Sequence, residues 1–126
     1  MSDGRLVLGK SGEEAAISFL KSSGYKIIAR NYKVKLGEID IIAEDKGVIC
    51  FIEVKTRNSE KFGLPAEAVA GRKQKQISRV ALVYLKEKSL FDKKARFDVV
   101  SIINPGASQK IDLIKDAFEL SQRYSY

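Results

Sequence analysis

Three side chains near the middle of the chain have the types and spacing for chemistry: Asp40, Glu53 and Lys55. They lie in Gly37–Arg57, where two β-branched runs, Ile39–Ala43 and Val48–Val54, flank an Asp-Lys-Gly turn signal. That pattern predicts a β-hairpin. Side chains alternate along a strand, so Glu53 and Lys55 project to the same side, about 7 Å apart. Whether Asp40 joins them depends on register, because a one-residue slip reverses the face. Opposite Phe51 or Glu53, Asp40 would lie beside Glu53; opposite Ile52, it would point away. A three-residue loop closed by Gly47 with a bulge would favour the second outcome unless another irregularity intervenes. Two carboxylates and an ammonium on a largely apolar hairpin suit a site for a divalent cation acting on a phosphodiester. Mg²⁺ or Mn²⁺ would take Asp40 and Glu53 as ligands, with the Val54 carbonyl a further donor, while Lys55 would stabilise developing negative charge.

The rest of the composition narrows the alternatives. With no histidine, His-based triads, His general bases and His-containing zinc sites are excluded. The lone cysteine, Cys50, can form no internal disulfide and reads as a small buried apolar residue. A length of 126 residues fits one domain with one core, spanning 1–126. No apolar run is long enough to span a bilayer, and the first residues lack a signal-peptide apolar region, so the expectation is a cytoplasmic protein with no membrane partner.

The elements that must position the three residues follow from periodicity. Residues 9–24 predict a helix, with Ser11 and Glu14 spaced as a capping box and Gly24 as its stop. Its buried stripe is Ala16, Phe19 and Leu20, with Ile17 at the margin. Glu13 heads that stripe, a third carboxylate aimed at whatever the helix packs on, unless it only favours the positive end of the helix. Residues 25–34 predict a strand twisted or broken near Asn31, and Thr56–Pro65 a loop carrying Arg57 and Lys61. A second amphipathic helix is expected from about Gly71 to Lys88, buried through Ile77, Val80, Ala81, Tyr84 and Leu85. Strands at Arg96–Ile103, stopped by Asn104-Pro105-Gly106, and Lys110–Ile114, at an edge, complete a mixed sheet with helices packed on it.

The formal charge is +7, which favours polyanionic partners. Part of the surplus is a row on the second helix, Arg72, Lys75, Arg79 and Lys86, with no acid between its ends. Exposed helices ordinarily mix signs, so a single-sign row suggests phosphate tracking. Arg57, Arg72, Lys75 and Arg79 are therefore the expected nucleic-acid contacts.

Gly12-Glu13, Arg30-Asn31-Tyr32, Gly37-Glu38-Ile39-Asp40, Glu53-Val54-Lys55-Thr56-Arg57 and Arg96-Phe97-Asp98-Val99 resemble the motif series of the YraN-type family of small bacterial proteins. The likeness runs from about Gly9 to Phe118. That family in turn resembles Holliday-junction resolvases and the restriction-endonuclease-like superfamily of Asp…Glu-x-Lys nucleases. The resemblance implies an α/β fold with an αβββαβ core, a central mixed sheet flanked by helices. It also implies that Asp40 and Glu53 converge, with Glu13 as the helix carboxylate and Lys55 as the catalytic lysine. Ile39 stands where the superfamily often has proline. The expected function is a metal-dependent endonuclease acting on DNA, branched or damaged, and the resolvase likeness makes a homodimer plausible. The alternatives are a nucleic-acid-binding module without turnover and a structural or adaptor protein whose Glu53–Lys55 pair is a surface salt bridge.

Overall fold

The computed structural model describes residues 4–57, 71–103 and 108–118. Helix α1 (Gly4–Ser22) leads into strands β1 (Lys26–Val34), β2 (Gly37–Asp45) and β3 (Val48–Arg57). Helix α2 (Gly71–Glu87) and strands β4 (Ala95–Ile103) and β5 (Lys110–Phe118) follow. The strands form one five-stranded sheet in the order β1-β2-β3-β4-β5. Pairing is antiparallel except between β3 and β4, which α2 connects as a parallel pair. This is the expected αβββαβ core with one further edge strand. Lys61, most of the loop expected at Thr56–Pro65, and the Asn104-Pro105-Gly106 stop lie outside the described residues.

A helix covers each face of the sheet. Ala16, Ile17 and Leu20 of α1 pack with Ile41, Ala43, Cys50, Ile52, Val100 and Ile102. On the other face, Ile77, Val80, Ala81, Tyr84 and Leu85 of α2 pack with Ile39, Ile42, Phe51, Phe97 and Val99. Strands covered on both faces lose polar alternation. Hence Ile49–Ile52 and Val99–Val100 are unbroken apolar runs, fully or nearly fully buried. Cys50 is one of these buried residues, as expected, and its thiol is pushed up to about 12 chiefly by burial.

Several boundaries differ from the sequence expectation. Helix α1 begins at Gly4, so Ser11 and Glu14 lie within it rather than forming a capping box at its start. Glu14 instead bonds Arg30 of β1. Ile17 is buried in the core while Phe19 takes the margin, the reverse of the expected order, because the packed stripe runs through Gly12, Ala16 and Leu20. The C-terminal end of α1 is as expected. Tyr25 N–H bonds Leu20 O at 2.9 Å and Gly24 N–H bonds Lys21 O at 3.1 Å, the two bonds of a Schellman stop.

The far end of the sheet holds a buried ionic network. Asp98 is fully buried in β4 and accepts bonds from Arg96 Nε at 3.0 Å, Tyr25 Oη at 3.0 Å and Asp116 N–H at 2.9 Å. The Arg96 guanidinium also donates to Tyr25 Oη and to Asp45 Oδ2, each at 2.8 Å. These contacts tie α1's exit, the β2–β3 hairpin, β4 and β5 together. Burial works against the Arg96 charge, but its bonds to Asp45 and Asp98 more than compensate and raise its pKa. They also hold Asp45 below the usual carboxylate range.

Candidate active site at the open end of the hairpin

Register was the deciding question for Asp40, and a two-residue turn answers it. Asp45 pairs with Val48, leaving only Lys46 and Gly47 in the loop, at φ of 51° and 85°. Two positive φ values in a two-residue hairpin make a type I′ turn, which needs no bulge. The three-residue loop that threatened the convergence does not occur. The ladder runs cleanly to Ile41↔Ile52. One step further sets Asp40 level with Glu53.

At that step the strands part. Asp40 Oδ2 accepts the Val54 N–H at 2.9 Å, so a carboxylate satisfies a backbone donor at the mouth of the hairpin. The local kink is shared with β1. Arg30 pairs with Ile41 and Tyr32 with Ile39, placing Asn31, at φ 52°, across from Asp40. Asparagine tolerates this left-handed conformation better than most residues. The faces change there too: Ile41 packs under α1, whereas Ile39, two residues away, packs under α2.

The Asp40 and Glu53 carboxyl groups meet. Each is raised above its ordinary pKa, with burial as the main cause; the Val54 N–H and Lys73 partly offset this for Asp40. Glu53 is pushed up to about 7 by burial first and by the Asp40 charge second. Its side chain is only 8% exposed, so it is no surface salt-bridge residue. Two desolvated carboxylates that repel each other form a site whose electrostatics a divalent cation would relieve, and oxygen donors suit Mg²⁺ or Mn²⁺. The donor set fits such an ion. Among the described residues, no three Asp, Glu or Cys side chains cluster as a metal cage, so Glu13 does not close one with this pair.

Glu13 lines the same cleft as Asp40, Val54 and Thr56. Asn31 Nδ2 donates to its Oε1 at 2.9 Å, and Arg30 Nε stands 3.8 Å away. It therefore faces Asp40, but on a tether to β1. What brings it there is Gly12. A Cβ on Gly12 would stand 1.9 Å from Thr56 Cγ2, so α1 approaches β3 as only glycine permits. Gly12→Ala is expected to lower stability by about 1–3 kcal/mol through overpacking, despite alanine's better helix propensity. Urea denaturation checks this, and adding Thr56→Ser, which removes the opposing methyl, should recover part of the loss.

Lys55 is half-buried on β3, and its charge favours ionised Glu53. A second lysine, which sequence reasoning missed, is closer to an ion pair. Lys73 Nζ of α2 lies 3.9 Å from Glu53 Oε1 and also acts on Asp40. The signal was present: positions 73, 77, 80 and 84 share one helical face, so Lys73 heads α2's apolar stripe as Glu13 heads that of α1.

The expected nucleic-acid contacts divide. Arg72, Lys75 and Arg79 are exposed on α2 and line one groove with Gln76 and Leu36 of the β1–β2 turn. Arg57 differs from its expected place on a loop. It is half-buried within β3, because the parallel ladder continues through Thr56↔Ile102 and Arg57↔Ile103. No helix among the described residues is long and apolar enough to cross a membrane.

Comparison with known proteins shows the family. The profile of the Uncharacterised protein family UPF0102 matches residues 12–102. A UPF0102 protein of Syntrophus aciditrophicus (strain SB) is 50% identical over 113 residues, covering 90% of this chain and 89% of its own. A UPF0102 protein of Geotalea daltonii is 49% identical over 115 residues, covering 90% and 91%. One from Persephonella marina is 41% identical over 114 residues, covering 90% and 95%. The chain belongs to the UPF0102, or YraN-type, family.

Proposed function

We propose that this protein is a Mg²⁺- or Mn²⁺-dependent endonuclease acting on DNA, with Asp40 and Glu53 as metal ligands and Lys55 as the catalytic lysine. The observation that carries this is the Asp40–Glu53 pair itself, a half-buried and a buried carboxylate facing each other where β2 and β3 separate. Such repulsion costs the metal-free fold stability, and a cation held between the two carboxylates would relieve it. When bound, the ion supplies Lewis acidity toward a phosphoryl oxygen and acidifies the attacking water.

The chain's own residues do the remainder. The Val54 N–H fixes the orientation of Asp40, and its carbonyl lies on the strand that carries Glu53. Lys55, on the Glu53 side of β3, is placed to stabilise charge building on the phosphate. Lys73 offsets part of the burial and repulsion at Glu53 from α2, favouring the ionised form that a ligand role needs. Glu13, held by Asn31, adds a carboxylate on the α1 side that can orient water in the cleft. Arg72, Lys75 and Arg79 supply phosphate contacts beyond the site.

Labelled linear, nicked and branched DNA incubated with Mg²⁺ or Mn²⁺ tests the reading. Wild type should cut at least one substrate, and Lys55→Ala should cut roughly 10²–10³-fold more slowly, the scale of one lost preorganised charge. An unchanged rate in that variant would remove Lys55 from the mechanism. No cutting under any cation, with steeply salt-dependent binding retained, would make the protein a binding module.

A further inference from the structure

Resting on the nuclease reading, we infer that Leu36 is a wedge that enters an unstacked base step while Arg72, Lys75 and Arg79 hold the adjoining phosphates. Val34 pairs with Gly37, so Lys35 and Leu36 alone form the β1–β2 turn, at the end of the sheet where Asp40 lies. Tight turns usually carry polar or small residues. Here the tip is a leucine, 48% exposed, with Lys35 exposed beside it.

The turn is also held in place. Gln76 Nε2 of α2 donates to the Leu36 carbonyl at 3.3 Å. Gly37, at φ 152°, is packed so closely that a Cβ would come 2.9 Å from Gln76 Cγ. An apolar side chain is thus presented to solvent on a pinned turn. The groove it borders is lined by Arg72, Lys75, Gln76 and Arg79, with no acidic side chain among them. An apolar protein partner would have to bury those cations, whereas a nucleic acid offers phosphates to the cations and a base stack to the leucine. Proteins that kink duplexes insert aliphatic side chains between base steps in this manner, with basic residues alongside.

The geometry sets where the wedge acts. Leu36 and Asp40 are four residues apart, so their backbones are separated by no more than about 13 Å. At about 3.4 Å per step along a duplex strand, the opened step lies within about four steps of the phosphate at the carboxylate pair. Opening a stacked step costs a few kcal/mol, less where pairing or continuity is already broken. The wedge therefore selects duplexes with a weakened step, such as a nick or mismatch, over intact ones.

Binding measured in EDTA, with 2-aminopurine at the nick or mismatch, separates this from catalysis. Wild type should bind the nicked duplex about tenfold more tightly than the intact one and raise 2-aminopurine fluorescence on binding. Leu36→Ala should reduce the preference to about twofold or less and lose the fluorescence rise, with intact-duplex affinity changed by less than about twofold. Leu36→Met, which keeps an aliphatic tip, should retain both. If Leu36→Ala leaves preference and fluorescence unchanged, or weakens both duplexes equally, the wedge is overturned while the nuclease reading stands. If wild type binds neither duplex, the wedge is overturned, and the cation-dependent cleavage test decides the nuclease reading separately.

Discussion

Asp40→Asn is expected to abolish saturable Mn²⁺ binding while making the metal-free protein more stable. The substitution keeps the shape and leaves an amide oxygen to accept the Val54 N–H, but it removes the charge that repels Glu53. Relief of that repulsion should be worth on the order of 1 kcal/mol, or about 3–5 °C in Tm for a domain of this size. Adding Mn²⁺ should raise the Tm of wild type and not that of the variant, because only a folded state with its ligands intact gains from binding. Cleavage should fall below detection. Equal Mn²⁺ affinity in the two proteins, by calorimetry, would show that Asp40 is not a ligand.

The same pair gives wild type a pH signature. Glu53 has a folded pKa of about 7 against an ordinary 4.5, so it holds its proton more tightly when folded. In the unfolded chain the proton leaves at lower pH, and the unfolded state gains from ionisation first. This contribution to stability is therefore complete below about pH 4.5 and is lost as pH rises through about 7. The total is at most about 3 kcal/mol. Asp45 works in the opposite direction. Its pKa is lowered by the Arg96 bond, so its contribution is lost only as pH falls into the acid range. Between pH 5 and 8 without divalent cations, Tm should decline as pH rises, and saturating Mn²⁺ should reverse the decline. The slope should be shallower in Asp40→Asn.

The second large effect lies away from the site. Asp98→Ala should destabilise the fold by about 3–5 kcal/mol, because it removes one of the two carboxylates that hold the partly buried Arg96 and leaves the Tyr25 O–H and the Asp116 N–H without their acceptor. That is a large share of the roughly 5–15 kcal/mol available to such a domain. Asp98→Asn keeps the acceptor but loses the charge, and should cost less. Urea melts of the two variants check the order, and a cost under about 1 kcal/mol for Asp98→Ala would mean that Asp45 holds Arg96 without it. The charged members of Arg96-Phe97-Asp98-Val99 fix the end of the sheet remote from Asp40.

Much of the architecture was legible in the residues. The hairpin followed from β-branched runs around Asp-Lys-Gly, the end of α1 from Gly24, and the buried face of α2 from its spacing, while Asn31 marks a left-handed residue within an unbroken β1 rather than a break. Periodicity reports which side of an element is covered, and turn residues report where the chain must bend. Both signals are local, so a single sequence carries them.

Other features depended on contacts between distant segments. The convergence of Asp40 with Glu53 required a two-residue rather than a three-residue turn, and both were compatible with the same residues. Arg57 moved from an expected loop into β3 because β4 extends the ladder alongside it. The roles of Lys73, Gly12 and Asp98 arise only when helices and strands far apart in the chain are packed together. The amino-acid order by itself determined which side chains could do chemistry and which elements carry them. Tertiary structure alone decided which charges share a buried space, because burial and electrostatic coupling depend on distances that periodicity does not encode.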